Sequence, residues 1–216
     1  LLTFFYRFMP EIIDAGYLYI AQPPLFKVKR GQSEVYLKHE SSLEEYLINT
    51  ALDNLVFSDH SGNGRSGQDL YDLISKARNM RNAILAFSDK VGSKELVEQA
   101  ALAGAYNEKV LEDAALGQEL ADKIAAQMNS RSHERERTWK GEFTPVSGYI
   151  VSRTLRGVTE RFIIKPEHIK LPDAVRLHNN LDWLQENFAS PGHLQTGSSE
   201  KTEKVYGPIS LFDNVL

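Results

Sequence analysis

The groups able to do chemistry in this chain are scattered rather than gathered. Its six histidines are His39, His60, His133, His168, His178 and His193. No two stand four residues apart, so the paired ligands of a helical HExxH metal site are missing. Cysteine is absent, which removes disulfides, thiol nucleophiles and thiolate zinc sites. The adjacent carboxylates Glu44-Glu45 and Glu112-Asp113 fall in helical stretches, where neighbouring side chains do not face each other and cannot converge on one substrate. No serine sits in a GxSxG elbow. The glycines of "GNGRSG" at 62–67 could cradle a phosphate, but no buried strand is expected to lead into them and the lysine of a P-loop is missing. They read as a flexible loop.

Two basic groups remain. Lys27, Lys29 and Arg30 form the "KVKRG" stretch, and Arg153, Arg156 and Arg161 lie in a second β-rich region. Either could meet a phosphate backbone and release counterions. Equally, lysines along an edge strand protect it from aggregation, and that plainer reading stays open.

The elements that carry these residues follow from periodicity. Leu1, Phe4, Phe5, Phe8 and Ile12 make an apolar helical stripe over 1–15, with Pro10 kinking the helix or starting a second one. Gly16 is its expected stop. "YLYIAQ" at 17–22 has the composition of a strand, ended by Pro23 and Pro24. Residues 25–30 and 34–38 alternate as a hairpin joined through Arg30-Gly31-Gln32-Ser33, with Lys27 and Lys29 outward. Ser41 and Glu44 suggest a capping box for a helix over about 42–56. The polar stretch 58–67 is the clearest composition shift in the chain and the expected domain boundary.

Beyond it, three helices are expected: 68–87, one from Ser93 to Gly104, and one beginning near Asn107 and carrying Val110, Leu111, Ala114, Ile124, Ala125 and Met128. Trp139 to Phe143 with "SGYIVSRTLRGVTERFIIK" predicts a three-stranded antiparallel meander turning at Arg156-Gly157. Residues 172–188 read as one helix with Leu177, Leu181, Leu184 and Phe188 on a face, 190–204 as loop, and "GPISLFDNVL" as a short helix.

Composition limits the classes further. Of 216 residues, 42% are hydrophobic and 25% charged, with net charge −4, so no overall basic field draws the chain to nucleic acid. The apolar opening "LLTFFYRFM" is far shorter than the roughly 20 residues of a membrane span, and no basic residue precedes it as in a signal peptide. The residues by themselves give an α+β chain without an active site.

The segments "LLTFFYRFMPEIIDAGYLYIAQPPLFKVKRG" and "EVYLK" closely resemble the gyrase B family of bacterial type IIA DNA topoisomerases. "YDLISKARNMRNAILAF", "KELVEQAAL" and the meander ending "RGVTERFIIK" resemble, more loosely, the large insertion of its Gram-negative members. The resemblance implies a truncated Toprim piece (helix, strand and hairpin) over 1–56, a mostly helical insertion with a small antiparallel sheet over 57–206, and a return segment over 207–216. It implies an interior portion whose family motifs, an acidic DxDxDG before it and QRYKGLGEMN after it, lie outside the 216 residues. The metal-holding acids, the ATPase domain and the DNA-attacking tyrosine would then lie elsewhere, and no catalytic or metal residue maps here. Mg2+ and ATP would serve the parent enzyme without binding this piece. Gyrase A, DNA and the rest of gyrase B would be its partners, in the bacterial cytoplasm near the nucleoid, with no membrane. The family raises Lys27, Lys29 and Arg30 as contacts to DNA or to gyrase A, and the insertion is expected to be a non-catalytic coupling element. An independent helical adaptor, or a DNA-binding module using Arg153, Arg156 and Arg161, remain as alternatives. The whole reading asks for paired extended backbone over 17–38 beside the opening helix.

Overall fold

A computed structural model describes residues 1–19, 21–197 and 202–215. The chain divides into two compact units, Leu1–Leu47 and Ile48–Leu216.

The first unit opens with α1 (Leu2–Phe8) and α2 (Pro10–Asp14). Pro10 starts the second helix rather than bending the first, because its missing N–H costs nothing in a first turn. Gly16, at φ +73°, ends α2. Its N–H bonds to the Ile13 carbonyl, and the Tyr17 N–H reaches Ile12 O at 3.0 Å. This paired closure needs the left-handed conformation that glycine adopts freely. The strand expected at 17–22 does not form at 17–19 or 21–22, and Ile20 lies outside the described residues. Aromatic and β-branched residues favour extended backbone only where a neighbouring strand takes the hydrogen bonds, and none pairs with this stretch among the described residues. The requirement for pairing over 17–38 is thus met only by the hairpin. There β1 (Phe26–Arg30) and β2 (Ser33–Leu37) pair antiparallel, from Phe26 opposite Leu37 to Arg30 opposite Ser33. Gly31 at φ +60° takes the first central position of the two-residue turn, the place where a hairpin of this twist demands glycine.

Helix α3 (Glu40–Leu52) begins before the expected box. Ser41 stands inside it, and the first turn is closed by Ser42 and Leu43 N–H on His39 O. It also ends short of 56, because Leu55 and Phe57 are withdrawn into β3 (Leu55–Ser58), where both are buried.

In the second unit the stretch expected to be an open loop is a hairpin turn. β3 pairs with β4 (Gly64–Arg65), and Asp59 closes the turn by accepting from the N–H groups of Ser61 at 2.8 Å and Asn63 at 2.9 Å. A buried strand therefore does lead into "GNGRSG", contrary to expectation. Next come α4 (Gly67–Val91) and α5 (Lys94–Ala103). Ser93 caps α5 by accepting from Leu96 N–H at 3.2 Å, and Gly104 ends it at φ +86°. Every residue from Leu96 to Ala103 is buried, the pattern of a helix enclosed on all sides. The third helix does not start near Asn107. Asn107 caps a 3-10 turn at Glu108–Leu111, and α6 (Ala114–Arg131) starts afresh at Asp113, whose carboxylate accepts from Ala115 and Leu116 N–H.

The meander forms as expected: β5 (Lys140–Thr144), β6 (Gly148–Leu155) and β7 (Val158–Ile164), in that order. After α7 (Pro166–Ile169), the single helix expected at 172–188 is two, α8 (Pro172–Asn179) and α9 (Leu181–Phe188). Asn180, at φ −107° and ψ 16°, breaks the run, its side chain bonding back to Arg176 O. The stretch 190–204, expected to be loop, contains β8 (Gly192–Thr196) and β9 (Thr202–Val205), with 198–201 outside the described residues. β8 joins β3, giving the order β4-β3-β8-β9. Finally α10 (Pro208–Val215) packs on α4.

The core belongs wholly to the second unit, from Ile48 to Val215. Phe87 meets Tyr106 edge-on at 5.2 Å, and Phe143 lies 4.7 Å from Tyr149. None of the described residues 1–47 is buried.

Candidate nucleic-acid interface

The hairpin presents its cations as the alternation predicted. Phe26 and Val28 are half-buried, while Lys27, Lys29 and Arg30 are exposed. Successive strand residues point to opposite faces, so Lys27 and Lys29 share one face. Glu34 on β2 lies between them, 2.8 Å from Lys27 Nζ and 4.0 Å from Lys29 Nζ. Lys27 also stands over the Tyr36 ring at 5.5 Å. Such exposed pairs are weak and yield readily to a stronger anion. Arg30, at the turn, has no carboxylate within pairing distance among the described residues.

The meander does not gather its three arginines. Its register sets Lys140, Ser152 and Arg161 side by side across the three strands. It sets Gly141, Val151 and Phe162 in the next row, which points the other way. That second face packs on α6. A side chain at Gly141 would run into the Ala121 carbonyl, and one at Gly117 into the Phe143 ring. Tyr149, Val151 and Ile164 are buried there. Burial pushes the Tyr149 hydroxyl well above the ordinary tyrosine value, so it stays protonated.

Arg153 belongs to this inner face. Its guanidinium stacks 4.9 Å over the Trp139 ring and bonds Glu160 Oε2 at 2.6 Å. Trp139 in turn donates to Ser132 Oγ at 3.2 Å. Arg153 is thus committed to holding the sheet on the helices. Arg161 lies on the opposite, outer face and is exposed. Arg156 stands at the β6–β7 turn with φ +50°, followed by Gly157 at φ +84°. Two successive left-handed residues make the turn that matches strand twist.

Two cations escaped the sequence reading. Lys140 shares the outer row with Arg161, a fact that strand parity gives once the meander is accepted. Arg135 lines a groove with His133, Glu136, Thr154, Leu155 and Arg156, which only the fold brings together. The structure thus separates the predicted groups: the hairpin trio sits in the first unit, Arg156 and Arg161 on the open side of the meander, and Arg153 beneath it.

Comparison with known proteins gives a consistent pattern. Residues 24–52 match the family described as "GyrB, hook", a span that takes in the β1–β2 hairpin and all of α3. All 216 residues align with the DNA gyrase B subunit of Caulobacter vibrioides at 34% identity, covering 25% of that protein. The DNA gyrase B subunit of Rickettsia prowazekii is 44% identical over 112 residues, which is 52% of this chain and 14% of that protein. The type 2 topoisomerase B subunit of Aquifex aeolicus is 37% identical over 92 residues, 43% of this chain and 12% of the relative. The chain therefore spans about a quarter of the length of the relative that it matches throughout. No helix among the described residues is long and apolar enough to cross a membrane.

Proposed function

We propose that this chain, similar along its whole length to the DNA gyrase B subunit, is a non-catalytic section of an ATP-dependent type IIA topoisomerase. In this reading residues 1–56 complete the Toprim region, residues 57–206 are the coupling insertion, and 207–216 lead back. The observation that carries it is the full-length alignment at 34% identity, joined by the hook match on the hairpin and α3. The exposed Leu2, Tyr6 and Phe8 of α1 support a role for the first unit as a packing surface in a longer protein, since clustered apolar residues rarely stay in water.

The chemistry would then be divided. Mg2+ would stabilise charge during phosphodiester cleavage at acidic residues outside this section, and ATP would be hydrolysed on another domain. Lys27, Lys29 and Arg30 would contact DNA, or gyrase A, at the cleavage core. The second unit would pass on the changes that DNA and gyrase A induce, through its packed helices. Its place would be the bacterial cytoplasm, on the nucleoid.

The test uses the full-length protein containing this section, assembled with gyrase A. Reversing all three hairpin charges (Lys27→Glu, Lys29→Glu, Arg30→Glu) should cut DNA supercoiling roughly tenfold or more as phosphate contacts are lost, while DNA-independent ATP hydrolysis is unchanged. Unaltered supercoiling removes the hairpin from the contact. The 216-residue chain alone should neither hydrolyse ATP nor nick DNA, and metal-dependent nicking by it would overturn the division of labour.

A further inference from the structure

We infer that the free edge of β7 is a docking site for an extended segment of another polypeptide, which adds to the meander as a further antiparallel strand and carries an acidic residue opposite Arg161. This goes beyond the reading of the chain as a gyrase B section, which assigns no strand partner.

The two edges of the sheet differ. In an antiparallel ladder, residues alternate between turning N–H and C=O towards the neighbouring strand and turning both away. The two-residue turn Arg156-Gly157 makes Leu155 and Val158 a bonded pair. Glu160, Phe162 and Ile164 therefore also turn their backbone towards β6. At the far edge, on and just before β5, the outward groups belong to Trp139, Gly141 and Phe143, and α6 closes them with two amide side chains. Asn129 accepts from the Trp139 backbone N–H and donates to the Trp139 carbonyl, both at 3.0 Å. Gln118 donates to Gly141 O at 3.1 Å and accepts from Phe143 N–H at 2.9 Å. These amides stand where another strand would be. On β7 the outward groups belong to Thr159, Arg161 and Ile163, and those backbone groups meet no partner among the described residues.

Edge strands are usually blunted by proline, a bulge or charge. β7 contains no proline, and its seven residues pair with β6 in unbroken register from Val158 to Ile164. The Glu160 side chain is held at 2.6 Å by Arg153 on the inner face. Arg161 is thus the strand's single charge on the outer face. Two copies of β7 in full antiparallel overlap would set Arg161 opposite Arg161, a destabilising pair, whereas an aspartate or glutamate there makes a favourable one.

On the inner side a cleft of about 710 Å3 is lined by Lys94, Met128, Trp139 and Phe162, among others. The Trp139 and Phe162 rings are 6.0 Å apart, and Gly92 stands beside the Phe162 ring without a side chain to cover it. Successive residues of a strand take opposite faces. A segment with its acid on the outer face, opposite Arg161, sets the next residue on the inner face, opposite Phe162. An apolar side chain there extends the Trp139–Phe162 surface. Backbone bonds then supply the grip and the cleft selects the side chain, the division seen in strand-addition sites.

The test is amide NMR of the 216-residue chain with a synthetic peptide of about nine residues, long enough to span β7. The peptide is acetylated and amidated, its central glutamate flanked on each side by leucine and then threonine. It should bind with a Kd below about 1 mM, shift the amides of Thr159, Arg161 and Ile163 and slow their exchange with solvent. Exchange of the Phe143 amide, already bonded to Gln118, should not change. N-methylation of the peptide's glutamate should weaken binding roughly tenfold or more by removing a backbone bond and adding a clash. Lysine in its place should weaken binding as well. Arg161→Pro removes an outward N–H and leaves the β6 ladder whole, as an edge position allows, so it should abolish binding, while Arg161→Ala should only reduce it. If Arg161→Pro lowers the melting temperature, the N-methylated peptide on the unaltered chain decides. Equal binding of that peptide would overturn strand addition, as would unshifted edge amides at about 1 mM peptide. Slowed exchange at these amides without peptide, growing with protein concentration, would overturn the acidic partner and assign the edge to a second copy of the chain.

Discussion

Glu98 Oε2 lies 3.0 Å from Arg131 Nη1, and the carboxylate is 1% exposed. Its other oxygen accepts from Ile209 N–H at 2.8 Å. One side chain on α5 thus joins α6 to the first turn of α10. Gly207 approaches so closely that a side chain there would strike the carboxylate, and the Arg131 guanidinium stacks on Tyr206 at 4.9 Å. Burial pushes the Glu98 carboxyl up, opposed by the Arg131 charge and the Ile209 amide. Loss of Glu98 strands a cation and an amide together. Glu98→Ala should cost about 3–5 kcal/mol, the penalty for breaking a buried pair, read by urea unfolding. Glu98→Met with Arg131→Met should cost distinctly less. Equal costs would mean that the pair adds nothing beyond volume.

Gly141 faces the Ala121 carbonyl without room for a methyl group. Gly141→Ala must push β5 off α6 and should destabilise the second unit by about 1–3 kcal/mol. Tryptophan fluorescence should change as well, because Trp139 is the residue before this strand and bonds Asn129 through its N–H and carbonyl.

Arg156 occupies a backbone region at φ +50° that costs a non-glycine residue roughly 1–2 kcal/mol. Arg156→Asn, giving the Asn-Gly pair favoured in this turn, should raise the melting temperature. An unchanged or lower melting temperature would mean that the left-handed backbone at Arg156 carries no relievable strain.

His168 accepts from Lys165 N–H through Nδ1 at 3.4 Å and lies edge-on to Phe87. Burial, helped by Lys165 and Lys90 and opposed by Glu167, lowers its pKa below the ordinary value of 6.5. A neutral ring is what this bond requires. The unfolded chain therefore takes up the proton first. Stability from this group is present above pH 6.5 and is lost as pH falls through the folded value. His168→Gln should flatten the fall in stability below pH 6.5, and an NMR titration of the ring should give a midpoint below that of a free histidine. A midpoint at or above it would contradict the geometry.

Sequence alone determined the features settled within a few residues. Ser93, Gly104 and Gly31 end or turn elements by satisfying or freeing backbone groups next to them, and the periodicity of α4 and the turn at Arg156-Gly157 are equally local. The resemblance to the gyrase B family was legible too, because residue identity over 1–56 needs no fold. What the tertiary structure decided was pairing at a distance. β3 finds β8 far along the chain, as Leu55 opposite Thr196, and that partner turns 192–196 from apparent loop into strand. "YLYIAQ" has the better strand composition, yet its described residues have no strand partner and stay irregular. The same contrast governs the interface. Types and spacing picked out Arg153, Arg156 and Arg161 together, but only the register shows that Arg153 is tied to the inner face while Lys140 takes its place outside. A strand shows alternate faces from its sequence, and which face meets water is fixed by what packs on the other.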